Sequence, residues 1–169
     1  FVKDITIDAD ENVVTVGLFS GTIDFDPGPG VSSITATTPP GLVLRDAFIT
    51  KSDTSGNLIW AGHFDGVDTE VGVQSIDTDP LGNIIITGRF WGTFDADPGP
   101  GVSNLVTPAT IVDIFVIKLD ATGNLIWAVS IGSNGVEFPT QLVSDISGNI
   151  YLSGTFEDSL DVDPGPGVF

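Results

Sequence analysis

Three loops in this chain place carboxylates at alternate positions: DFDPGPG at 24–30, DADPGPG at 95–101 and DVDPGPG at 161–167. In an extended segment residues i and i+2 share a side, so Asp24 with Asp26, Asp95 with Asp97 and Asp161 with Asp163 each form a carboxylate pair. The glycines that follow, beginning with Gly28, Gly99 and Gly165, let backbone carbonyls turn inward without a Cβ clash. Two prolines in each loop stiffen it and lower the entropy lost on ordering. Such a loop suits calcium, a hard cation that takes about six to eight oxygens from carboxylates and carbonyls. Asp46 and Asp113 align with each other where the chain returns from the loop, and are expected to supply a third carboxylate. The spacing is not that of an EF-hand, so the expectation rests on ligand chemistry. The plainer alternative is an Asp-Pro-Gly turn capped by its own aspartate. A second Asp in every copy favours calcium.

Other residues invite simpler explanations. The pattern D-x-x-G-N occurs at 53–57, 79–83, 120–124 and 145–149, where the Asp side chain can bond the turn backbone. Its first copy, 8–12, has Glu11 where the others have Gly, so that turn is expected to be strained or different. Trp60 and Trp127 repeat and are expected to pack, whereas Trp91 has no counterpart: covering the adjacent loop is the favoured role for it, and stacking on a sugar ring the alternative. Lys51 and Lys118 also repeat, as a salt-bridging or edge-protecting charge would. His63 is the sole histidine and aligns with Ser130, which leaves no repeated Ser-His-Asp triad. With 19 Asp, chance carboxylate pairs are unavoidable, so a glycosidase pair carries no weight. No enzymatic activity is expected.

Composition narrows the function classes. With 23 acidic against 5 basic residues the net charge is −18, which argues against nucleic acid or an anionic membrane as partner. Only 4 of the acids are Glu, so the acidity belongs to turns and cation ligands rather than to charged helices. No Cys is present, so disulfides and thiolate sites are excluded. No run reaches about 18 apolar residues, so no membrane insertion is expected. Phe1 is not an initiator Met and the chain has none, which points to a processed protein or a portion of a longer one.

The elements that must hold these residues follow from repeats and turns. The loops recur after 71 and 66 residues, and DAFITKSDTSGNLIW at 46–60 returns as DIFVIKLDATGNLIW at 113–127. Alternating apolar runs between the turns predict strand A at 2–7, 72–78 and 138–144, and strand B at 13–19, 84–90 and 150–156. They also predict strand C at 47–52 and 114–119, and strand D at 58–64 and 125–131. No helical periodicity is present. The expected fold is all-β: tandem four-stranded antiparallel blades of β-propeller type, about two and a half of them. Residues 1–46 would hold strands A and B of a first blade with its loop, and 47–70 its strands C and D. A complete second blade would fill 71–137, and strands A and B of a third with its loop 138–169. A closed ring and an open superhelical stack both satisfy this pattern.

The runs DISGNIYLSGTF at 145–156 and DIFVIKLDATGNLIWA at 113–128 resemble the SBBP-type β-propeller repeat over nearly the whole chain. Such repeats, including the DFDPGPG variant, occur in large secreted and surface proteins of Bacteroidota that use type IX secretion. The resemblance implies a fold and a location, and brings no catalytic residue. The expectation is therefore a calcium-stabilised extracellular or cell-surface module acting as a stalk, fibre or adhesin. Its partners would be other copies of the repeat or further blades. Glycan or protein recognition, and service as accessory domain of a secreted enzyme, are the alternatives.

Overall fold

The A–B and C–D hairpins are closed by D-x-x-G-N turns, with Glu for Gly in the first, and the turn explains the register around it. In the computed structural model, which describes residues 1–37, 45–66, 71–108 and 110–160, Gly56, Gly82, Gly123 and Gly148 all have φ between 76 and 90°. Glu11 adopts the same left-handed conformation at φ 63°. The five turns share two backbone bonds, as in Asp8 N–H to the Asn12 carbonyl and Glu11 N–H to the Asp8 carbonyl, both 3.0 Å. The first turn is thus the same turn, with strain at the one position where a side chain replaces glycine.

These turns join β1 (Val2–Ile7) to β2 (Val13–Phe19), and β5 (Asp46–Ser52) to β6 (Leu58–Phe64). Between β2 and β5 a small ribbon intervenes, β3 (Thr22–Asp24) with β4 (Ser33–Thr35). The second unit repeats the plan with β7 (Gly72–Thr78), β8 (Ile84–Phe90), the ribbon β9 (Thr93–Asp95) and β10 (Asn104–Val106), β11 (Asp113–Leu119) and β12 (Leu125–Ile131). β13 (Phe138–Ser144) and β14 (Ile150–Thr155) begin a third. The sheets are antiparallel, ordered β1-β2-β5-β6 and β7-β8-β11-β12, with β13-β14 as a two-stranded sheet. Propeller-type blades in tandem are therefore the architecture. The strands lie where the alternation predicts them, except that strand C starts one residue earlier and β14 ends one residue earlier, at Thr155. The ribbons are an addition: the acidic excursion is itself paired structure.

The blades stack face to face. Val14, Val16 and Ile49 of the first blade join Ile84, Ile86, Phe90 and Phe115 of the second in one core. Ile85 and Val116, on the opposite face of the second blade, meet Leu142 of the third unit. This is why β8 is buried on both sides while β1 leaves Ile5 and Ile7 exposed. Strands β1, β7 and β13 lie side by side, and a register shift near each start marks a bulge, at Val2/Asp4, Val73/Ser75 and Pro139/Gln141. Carboxylates bridge these inner strands. Asp4 accepts from Ser75 Oγ and Ile76 N–H at 2.9 and 3.0 Å, and Asp77 accepts from Ser144 N–H at 2.6 Å.

Candidate functional site

The first two acidic loops form the tips of the ribbons. Asp24 Oδ1 accepts N–H bonds from Asp26 at 3.1 Å and Ser32 at 2.8 Å, and Asp95 Oδ1 accepts from Asp97 at 3.0 Å and Ser103 at 2.8 Å. The second aspartate has a task as well. Asp26 Oδ1 accepts the Gly28 N–H at 2.7 Å, and Asp97 Oδ1 accepts the Gly99 N–H at 2.8 Å. Their Oδ2 atoms lie against Gly30 and Gly101, in the space a Cβ would need. Turn chemistry thus uses both aspartates of the two described pairs, which the sequence alone did not reveal.

Asp46 and Asp113 stand at the other end of the ribbon. Asp46 Oδ2 accepts the N–H and hydroxyl of Thr37, at 2.7 and 3.0 Å, just beyond the base where Ala36 N–H meets the Gly21 carbonyl. Ser33, opposite Asp24, is four residues nearer the tip, roughly 13 Å along the ribbon. The structure therefore brings together Asp24 with Asp26 and Asp95 with Asp97, and sets Asp46 and Asp113 apart from them. Asp161, Asp163 and Gly165 lie outside the described residues. Among the described residues no group of three or more His, Cys, Asp or Glu side chains converges as a metal site.

What gathers around Asp113 is different. Glu137, fully buried, enters the same place from the segment between β12 and β13, its N–H bonded to the Val112 carbonyl at 2.9 Å. Ser133 Oγ donates to Glu137 Oε1 at 2.6 Å. Asp113 Oδ1 and Glu137 Oε2 are buried and take no hydrogen bond. The Asp113 carboxyl occupies the space a Cβ on Gly132 would fill. Burial pushes the Asp113 acid up from its ordinary value, the Thr107 hydrogen bond opposes this, and the charge of Glu137 adds to the rise. The difference from Asp46 has a simple cause. Ala36 and Thr107 are equivalent, each donating N–H to the ribbon base, so Thr37 corresponds to Pro108, which has no N–H to offer Asp113. Sequence analysis passed over Glu137, yet a signal existed: Glu70 and Glu137 are separated by 67 residues, as are Asp46 and Asp113.

The remaining repeated residues are structural. In each D-x-x-G-N turn one Asp oxygen takes two backbone N–H groups and the other takes the Asn side chain, as at Asp79 with Leu81, Asn83 and the Asn83 amide at 2.9–3.0 Å. Lys51 Nζ pairs with Asp8 at 2.7 Å and Lys118 Nζ with Asp79 at 2.8 Å, tying strand C to the turn between strands A and B. Lys51 also donates to the Ala121 carbonyl of the next blade at 3.0 Å. Trp60 packs on the core and faces Gly123 across the blades, and Trp127 packs on the second cluster. His63 meets Phe19 edge to face at 6.3 Å. Trp91 is half-buried between β8 and β9.

No known protein family's profile matches the chain. It is similar to an uncharacterized WD repeat-containing protein of Acanthamoeba polyphaga mimivirus, 28% identical over 167 residues and 92% of this chain. The chain spans 11% of that protein's length.

Proposed function

We propose that the chain is a non-enzymatic structural and protein-interaction module, built of SBBP-type repeats, whose blades join further strands of the same repeat. The carrying observation is how strand C closes over strand B in the first two blades. In the first two blades the rings of Phe48 and Phe115 cover Gly17 and Gly88, with 2.6 and 2.5 Å from ring carbon to the point where a Cβ would stand. Gly154 is their equivalent, and no strand C lies over it among the described residues. Phe156 is 56% exposed where its counterparts Phe19 and Phe90 are 3% and 0%. Beside it a groove of about 300 Å³ is lined by Ile114, Ile131, Leu152, Gly154 and Phe156. Asp145 lies where Asp8 and Asp79 receive a lysine. The strands that fit beside β14 are a C–D hairpin of the same repeat with the pattern D-x-F-x-x-K, supplied by a further blade of the same chain or by another copy.

The test uses a peptide spanning 113–131, this chain's own C–D hairpin. Saturable binding that quenches exposure of Phe156, and that a Phe115→Ala peptide loses at least tenfold, is expected. Equal binding of both peptides would overturn the proposal. The extracellular, calcium-stabilised role belongs to the same proposal and is supported by the acidic ribbons and by the resemblance of the repeats. Glycan binding at Trp91 is the second reading, favoured by the absence of a copy of this tryptophan; loss of binding to a glycan panel on Trp91→Ala would support it.

A further inference from the structure

We infer that the junction between the second blade and the third unit is a hard-cation site, with Asp113 Oδ1 and Glu137 Oε2 as its carboxylate ligands and a calcium-like divalent ion as its occupant. Two carboxylates at least nine-tenths buried converge there with one oxygen each unpartnered, on different elements: the start of β11 and the segment leading into β13. Ser133 Oγ, held on Glu137 Oε1, is a third oxygen at the same place. Among the described residues no salt bridge reaches either carboxylate. Among the described residues the lysine ion pairs are those of Lys51 and Lys118, and Arg89 lies 4.9 Å over the Phe138 ring. An uncompensated pair of buried negative charges is strongly disfavoured, and a divalent ion neutralises both at once. The donor set is all oxygen, which selects a hard ion over zinc or copper. Sequence repeats the arrangement, since Asp46 and Glu70 stand 24 residues apart as Asp113 and Glu137 do. Glu70 itself lies outside the described residues.

The consequence is mechanical. An ion held by β11 on one side and by the lead into β13 on the other fastens one blade to the next, so it strengthens the stack at that junction. The site is independent of the ribbon tips, and the experiment separates the two. Thermal melts of the whole chain in calcium and in chelator are compared for the wild type, Glu137→Gln, Asp113→Asn and the triple change Asp24→Asn, Asp95→Asn, Asp161→Asn. At calcium about a hundredfold above its dissociation constant the wild type is expected to gain roughly 5–10 °C. Glu137→Gln and Asp113→Asn are expected to lose at least half of that gain, and the triple change to keep it. A gain abolished by the triple change and retained by Glu137→Gln overturns the junction site in favour of the tips. No gain in the wild type, with stability instead falling between about pH 5 and 8 and that fall removed by Glu137→Gln, overturns it in favour of a proton shared by the two acids.

Discussion

At the scale of single residues the aspartates divide by what surrounds them. Those in the D-x-x-G-N turns are acids stabilised in their charged form. Burial works against Asp120, yet hydrogen bonds from the Asn124 and Thr122 side chains and backbone bring it to about 2, and the Asn149 amide first among several donors brings Asp145 to about 2. Asp53, Asp8 and Asp79 are lowered as well, the last two against burial and with help from Lys51 and Lys118. A depressed folded-state value stabilises above the ordinary 3.8 and loses that contribution as pH falls toward 2. Acid unfolding should therefore steepen between pH 4 and 2, and Asp120→Asn should shallow it; a melting temperature flat across that window would refute this. Glu11 offers the opposite lever. Replacing it with Gly removes side-chain strain at φ 63° and should raise stability by about 1 kcal/mol, or 2–4 °C in a thermal melt. A lower melting temperature would show that the Glu11 side chain has a compensating role.

At the scale of elements, each blade is held by a lysine and a glycine on neighbouring central strands. Lys51 is 5% exposed and links strand C, the turn of strands A and B, and the next blade's C–D turn. Lys51→Ala leaves Asp8 charged and buried, and chemical denaturation should report a loss of about 3–5 kcal/mol. Loss below 1 kcal/mol would mean the pair is solvated. Gly88 has the Phe115 ring 2.5 Å from where a Cβ would sit, so Gly88→Ala must displace an aromatic anchor of the core. It should cost about 1–3 kcal/mol, and the double change with Phe115→Leu should recover part of it if overpacking is the cause. The ribbon behaves differently. β3 is exposed along its length and carries little core, so changes at its tip should leave the blade intact.

At the scale of the whole molecule, stability is a matter of neighbours. The second blade is covered on both faces, while the third unit shows Tyr151 and Phe156 each at 56% exposure. Amide exchange should accordingly be slowest in β8 and β11 and fastest in β13 and β14, by orders of magnitude if opening is local. Uniform protection would instead indicate one cooperative unit. Such an array gains stability from each face that a neighbouring unit covers.

The blades were legible because their information is local. A two-residue alternation, a glycine able to take φ above 76° and a fixed 14-residue step from Asp46 to Trp60 and from Asp113 to Trp127 set strands, turns and register from the sequence alone. The lysine pairs were half legible: a repeated charge shows that a partner exists, and only folding shows that it is Asp8 or Asp79. At the ribbon tips only geometry shows the local bonding, in which the second aspartate accepts a glycine N–H two residues on. The Asp113–Glu137 convergence belonged to tertiary structure altogether. It joins residues 24 apart across a blade junction, and it depends on Pro108 withholding an N–H that Thr37 supplies in the first blade. Sequence determined the units by periodic chemistry along the chain; the stacking of those units decided which charges meet, because burial and opposition across a junction exist only once the sheets have packed.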